Sequence, residues 1–204
     1  SNMDQTNLGE ANFINAEMEN VSCLEANVTN ANFESSNLQG AKFLGSNLSG
    51  SNLNGANLRK SIFLEANLSK CNLNETDLSS SDFSRADMNH ASIVESNLSR
   101  ARFNGANMES VDFTDSRLSM SVFFDANFKN ANMNRAIVKG AKLAGGIFEK
   151  TSLPRADITG ADLTDAKFLN SNLSRAKLNG AILRRADLKA VSYTHLTLPT
   201  NREV

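Results

Sequence analysis

Side chains able to do covalent or metal chemistry are few in this 204-residue chain: two Cys, two His, one Tyr and no Trp, beside 22 acidic and 21 basic residues. Nucleophilic catalysis needs a Ser or Cys with a base in reach, and a structural zinc needs Cys or His in closely spaced pairs. Cys23 and Cys71 stand apart, His90 lies among variable polar residues, and His195 falls in a C-terminal stretch of different composition. No Cys pair of zinc spacing, no His-Glu helix motif and no glycine-rich phosphate loop occurs. We therefore expect no catalytic, metal or cofactor site. Surface charge offers a different chemistry, the recognition of ions. At intervals of twenty residues Glu75, Glu95 and Asp115 are followed by Arg135, Arg155 and Arg175, with Lys177 beside the last.

That interval is a multiple of a shorter one. Every fifth residue from Met3 to Leu188 is apolar: 38 consecutive pentads carry 17 Leu, 11 Phe, 5 Met, 2 Ile, 2 Val and Cys23, without exception. Two residues before each lies a small or modest side chain: 21 Ala, 10 Ser, 3 Thr, 2 Val, Cys71 and Gly146. The residue between them is mostly Asn or Asp, as in Ala56-Asn57-Leu58 and Ala161-Asp162-Leu163, and the two that follow are polar, charged or Gly in most pentads. A period of five fits neither a helix nor a flat strand. The small and large residues, two apart, share one side of a short extended segment while the Asn or Asp points away. The last two residues must turn a corner.

This pattern resembles the pentapeptide repeat proteins over residues 1 to 190, and the resemblance implies an all-β fold, a right-handed quadrilateral β-helix of about nine coils of 20 residues. Residues twenty apart then share a column. Phe43, Phe63, Phe83, Phe103 and Phe123 form one column, and Leu38, Leu58, Leu78, Leu98 and Leu118 another. Rings one coil apart, at ~4.8 Å, can stack in offset fashion. A third column, Asn7, Asn27, Asn47, Asn67, Asp87, Asn107 and Asn127, could form an amide ladder, unless Asn merely suits an exposed position. Cys23 and Cys71, two coils apart, are separated by at least ~9 Å and cannot form a disulfide.

Charge is uneven along the rod. Residues 1 to 100 hold 12 acidic and 6 basic residues, net −6, and residues 101 to 190 hold 9 and 14, net +5. The column ending in Arg135, Arg155 and Arg175, helped by Lys177, reads either as an anion-binding or partner-binding strip or as a solvated face offset by neighbours such as Asp157. Leu24, Leu44 and Leu64 form a small outward apolar column, either an interaction strip or corners covering their own edges. No apolar run approaches the ~18 residues of a spanning helix. No signal peptide is visible. The compartment stays open, with the cytoplasm as the default.

Ser1-Asn2-Met3 already fits the repeat, so the array is expected to continue upstream of residue 1. Past Ala190 the pattern fails, and residues 191 to 204 read as a tail, foreign to the array or, if native, a short cap in which Leu196 and Leu198 cover the last coil. Bare coil edges invite association, so a flanking cap, a neighbouring domain or an end-to-end dimer is expected.

Three functions compete. The first is a noncatalytic scaffold presenting flat β faces to a protein partner, with no small-molecule substrate. The second follows from the resemblance: some pentapeptide repeat proteins are acidic dimers shaped like duplex DNA that occupy the DNA site of type II topoisomerases and confer fluoroquinolone resistance. The basic second half departs from that pattern, and no C-terminal dimerisation helix is recognisable. The third is the repeat segment of a larger protein whose catalytic or membrane domain lies elsewhere. Direct nucleic-acid binding is disfavoured, because Phe124 and Tyr193 are the only candidates for base stacking.

Overall fold

The computed structural model describes residues 1–194 and gives a right-handed, four-sided β-helix. Thirty-five parallel bridges run without a break from Asn2↔Ser22 to Asn172↔Ser192, each joining residues twenty apart. Each side is so short that only the second residue of its pentad pairs in register. The first, second, third and fourth sides begin at residues 1, 6, 11 and 16 of the first coil and recur every twenty residues. Nine full coils are complete by Gly180, and a tenth begins at Ala181.

In a mid-rod pentad with Asn or Asp at the second position, all five backbone N–H groups find a partner. In the coil around Phe83, Asp82 N–H donates back to Ser61 O at 3.0 Å, Phe83 forward to Arg102 O at 2.7 Å and Arg85 forward to Asn104 O at 2.9 Å. Ala86 N–H closes the corner onto Phe83 O at 3.0 Å. The fourth residue's N–H points away from both neighbouring coils, and this is what the Asn or Asp is for. All 23 Asn and Asp at the second position accept the N–H two residues on, as Asn57 does from Arg59 at 3.3 Å and Asp77 from Ser79 at 3.0 Å. Where Ser22, Ser92 or Val122 takes that place, an acceptor from the coil before substitutes: Asp4 for Leu24 N–H, Asn74 for Val94 and Asn104 for Phe124. The amide ladder is thus secondary. In the column from Asn7 it joins Asn27 to Asn7 and then Asn127, Asn107 and Asp87, with no side-chain bond across Asn47 and Asn67. Asn57→Ala removes both the acceptor for Arg59 and a 3.1 Å bond to Asn37. It should cost about 0.5–1.5 kcal/mol, read as a lower urea midpoint, with Asn57→Asp milder.

Every fifth residue sits in the left-handed region, φ between +53° and +72°, at all 38 corners, and only nine of those are Gly. With a hydrogen bond across the turn and positive φ at its second central residue, the corner has the geometry of a type II turn. Pro154, at the preceding position, suits it. No Val, Ile, Thr or Pro occupies a fifth position, as expected where a β-branched side chain would clash with its own backbone.

Inside, the third-position residues form one continuous core, fully buried from Cys23 to Leu178 and only partly so in the first and last coils. The Leu38 to Leu118 column is wholly buried. Phe43 to Phe123 stack with centroids 4.8–5.1 Å apart and planes within 8°. The stack then changes side. Phe123 meets Phe128 at 5.3 Å and 56°, and Phe128, Phe148 and Phe168 continue on the second side at 4.6 Å. Each of the first nine coils holds at least one Phe; the side that carries it is free to change.

First-position residues bring the backbone close. At Gly146 even a Cβ would lie 2.8 Å from Phe148 Cε2 and 2.9 Å from Leu143 O. The buried hydroxyls among them donate to core carbonyls, as Ser51 does to Val28 O at 2.7 Å and Thr151 to Phe128 O at 2.6 Å. Among the described residues no buried side-chain polar atom lacks a partner. Cys23 and Cys71 are free and buried, and burial pushes their thiols up to about 11 and about 12.

The coil path continues beyond Ala190: Val191 is buried, Ser192 pairs with Asn172, and Tyr193 Oη donates to Leu188 O at 3.0 Å. His195, Leu196, Leu198 and the remainder of the tail lie outside the described residues.

Candidate functional site

The fifth position projects a side chain off a corner, because the left-handed backbone there turns Cα outward. Glu75, Glu95, Asp115, Arg135, Arg155 and Arg175 all occupy it, with φ between +56° and +60°, on the corner between the third and fourth sides. The structure therefore brings the three arginines together in one column, one coil apart, directly after three acids. Like charges at ~4.8 Å repel unless something opposite lies between them.

The junction of the column is paired and its ends are not. Arg135 Nε donates to Asp115 Oδ1 at 2.6 Å, and Nη2 bonds Oδ2. The hydrogen bonds from Arg135 and its charge hold the Asp115 carboxyl below the usual carboxylate range, and the same contact raises the Arg135 guanidinium. The pair thus persists as pH falls until the depressed pKa of Asp115 is crossed. Among the described residues, Glu75, Glu95, Arg155 and Arg175 make no ion pair. Asp157, the neighbour expected to offset the arginines, is engaged with Lys139 Nζ at 3.2 Å. Lys177 is exposed on the fourth side, one coil beyond Asp157.

Arg135, Arg155 and Arg175 line a shallow open cleft of about 320 Å³ with Asn134, Pro154 and Ser174. Short fourth-position side chains between long guanidinium arms create it. Its lining holds three cationic groups and no acid, which suits carboxylate or phosphate oxygens.

Leu24, Leu44 and Leu64 share a column on the corner between the first and second sides, each half-buried. The larger exposed apolar groups are Met120 at 62%, Ile182 at 49% and Ile14 at 44%. Sequence reasoning missed Met120, although a Met at a fifth position was visible there. Among the described residues no group of three or more His, Cys, Asp or Glu is placed to hold a metal, and no helix is long and apolar enough to cross a membrane.

The pentapeptide repeat region model matches residues 36–113 and 66–143, and the model of eight pentapeptide repeats matches residues 156–192. The chain is a pentapeptide repeat protein. Among solved structures, this pentapeptide repeat protein is similar to HetL, a pentapeptide repeat protein involved in heterocyst differentiation regulation from the cyanobacterium Nostoc sp., at 25% identity and TM-score 0.66, over 93% of this chain and 86% of HetL. It is also similar in fold to a trypsin-treated form of QnrB1, a plasmid-mediated fluoroquinolone resistance protein, at 18% identity and TM-score 0.54, over 88% of this chain and 89% of that one. No curated protein matches the sequence.

Proposed function

We propose that this pentapeptide repeat protein is a noncatalytic interaction rod whose charged corner between the third and fourth sides recognises a protein partner. One observation carries the reading: the interior is filled by apolar groups and satisfied hydroxyls, while Arg155 and Arg175 stand unneutralised beside an open cleft. Regulation, the role named for HetL, is work that such a rod can do by contact alone. The similarity to QnrB1 concerns the fold, and the basic second half argues against imitation of a DNA duplex along the whole length.

A photo-crosslinker at position 174, in the cleft beside Arg155 and Arg175, should capture protein partners that a crosslinker at position 59, on a different corner, does not. Arg155→Glu with Arg175→Glu should abolish that capture, whereas Arg59→Glu should leave it. Equal capture from both corners, or capture indifferent to the double reversal, would remove the site from the argument.

A further inference from the structure

The charged corner column is self-complementary under reversal. Read from Glu75 to Arg175, its order is acid, acid, acid, base, base, base. A second copy running antiparallel, related by a two-fold axis across the rod between the coils of Asp115 and Arg135, sets each residue against its opposite. Glu75 faces the partner's Arg175, Glu95 faces the partner's Arg155, and Asp115 faces the partner's Arg135. The register needs no adjustment, because both copies have the same coil spacing. An isologous contact of this kind repeats every pair twice.

We propose that two copies associate side by side and antiparallel along this corner, each supplying the acids that the other's arginines lack. This names the partner for the site given above and rests on that reading. The pairing inside a single chain supports it. Asp115 and Arg135 satisfy each other at the centre, and the four residues without an ion pair among the described ones are those that would meet across the axis. Four ion pairs between chains result, flanking two internal ones.

The adjoining columns agree with the same axis. On the fourth side Asp77, which Arg59 of its own chain approaches at 3.9 Å, faces the partner's Lys177. On the third side Ser92 faces the partner's Ser152. Along the corner itself Val94 faces the partner's Pro154, so short residues meet where the copies come closest. No like charges are opposed at any of these positions, and a reversal by one coil in either direction would set Asp115 against an acid or Arg135 against a base. A corner contact is small, of the transient class, and its exposed pairs weaken with salt.

Charge reversal tests the arrangement. By sedimentation equilibrium the wild-type chain should dimerise in low salt, with dissociation loosened at least about tenfold by 0.5 M NaCl. Arg155→Glu with Arg175→Glu makes the column acidic apart from Arg135, and Glu75→Arg with Glu95→Arg makes it basic apart from Asp115; each should be monomeric at concentrations where the wild type is a dimer. Mixed one to one, the two variants become fully complementary at these positions and should form a heterodimer, and the chain carrying all four reversals should dimerise again. Circular dichroism of each variant confirms that it is folded. End-to-end stacking through the coil edges would give dimers indifferent to all of these changes. A wild type monomeric at about 1 mM, a dimer that survives either reversal, or two variants that do not associate on mixing would overturn the proposal. If the wild type is monomeric and the crosslinker at position 174 still captures another protein in a manner sensitive to arginine reversal, the interaction corner stands and only its occupant changes.

Discussion

Phe83→Ala should lower the stability of the rod by about 3–5 kcal/mol, the cost of emptying a buried aromatic site. Phe83 is fully buried in the fifth coil, stacked on Phe63 at 4.8 Å and on Phe103 at 5.0 Å, with planes within 4° of both. Truncation would leave a ring-sized void and interrupt the stack on both faces. The void cannot close easily, because the backbone around it is tied to the coils above and below: Phe83 N–H to Arg102 O and Asp82 N–H to Ser61 O. In a linear array each coil is stabilised by its neighbours, so a mid-stack defect weakens two interfaces. Phe83→Leu should be much milder, since the same side carries Leu143, Leu163 and Leu183 in later coils. Asn54→Ala, on an outward position, is the control and should shift the urea midpoint little. A midpoint for Phe83→Ala no lower than that of Asn54→Ala would contradict the inward placement of the ring.

The core was legible because inward placement depends on one variable, position within the pentad. The register of Phe83, Leu98 and their columns needed no knowledge of the corner. The switch of the Phe stack from Phe123 to Phe128 was equally available in the spacing of Phe128, Phe148 and Phe168, yet it becomes meaningful only once adjacent sides are known to touch. The corners were less legible. A left-handed fifth residue leaves its trace as an absence of β-branched types, which is easily taken for mere surface polarity. The Asn and Asp were seen to point outward, but their task follows from backbone geometry: only when the other four N–H groups are assigned does the fourth stand alone. At Ser22, Ser92 and Val122 the role passes to Asp4, Asn74 or Asn104 one coil earlier, while at Lys42 and Ile62 no protein group takes it among the described residues.

Charge was legible as columns and not as pairs. The sequence places Arg135, Arg155 and Arg175 alike, yet the structure gives an acid to one and leaves two without. A column neighbour is always one coil away, so within a column only the boundary residues of an acid run and a base run can neutralise each other, and any other pair must cross columns, as Lys139 and Asp157 do. Arg185 with Asp165, on another corner, obeys the same rule at 2.6 Å. In the column from Glu75 to Arg175 the like-charged residues away from the junction are the ones left without an ion pair among the described residues.

The first position of the pentad sets how near the coils can come, and Ala101→Leu tests it from the opposite direction to Phe83→Ala. Ala101 is fully buried, between Ser81 and Ser121 of the coils before and after. Successive side chains in this column nearly touch: Ser61 and Ser81 hydroxyls lie 3.4 Å apart. Across all 38 pentads nothing larger than Val occupies the position. Leucine adds three carbons with no void to receive them, and relief requires the Ala101 corner to move away from its neighbours, stretching the Val122 N–H bond to Ala101 O, now 3.0 Å. The expected loss is about 3 kcal/mol, the upper end for overpacking. Ala101→Ser, by contrast, should be nearly neutral, because the equivalent Ser121 donates to Leu98 O at 2.6 Å, and a hydroxyl at 101 would find the carbonyl of Leu78 or Leu98 in the same way. Hydrogen exchange adds a spatial readout: the Leu variant should lose protection at Phe103 and Val122 N–H, both hydrogen-bonded between coils, before it loses protection at Phe43. Uniform loss along the rod would instead mean that the coils yield as one unit, and that local backbone approach at position 101 is not what limits them.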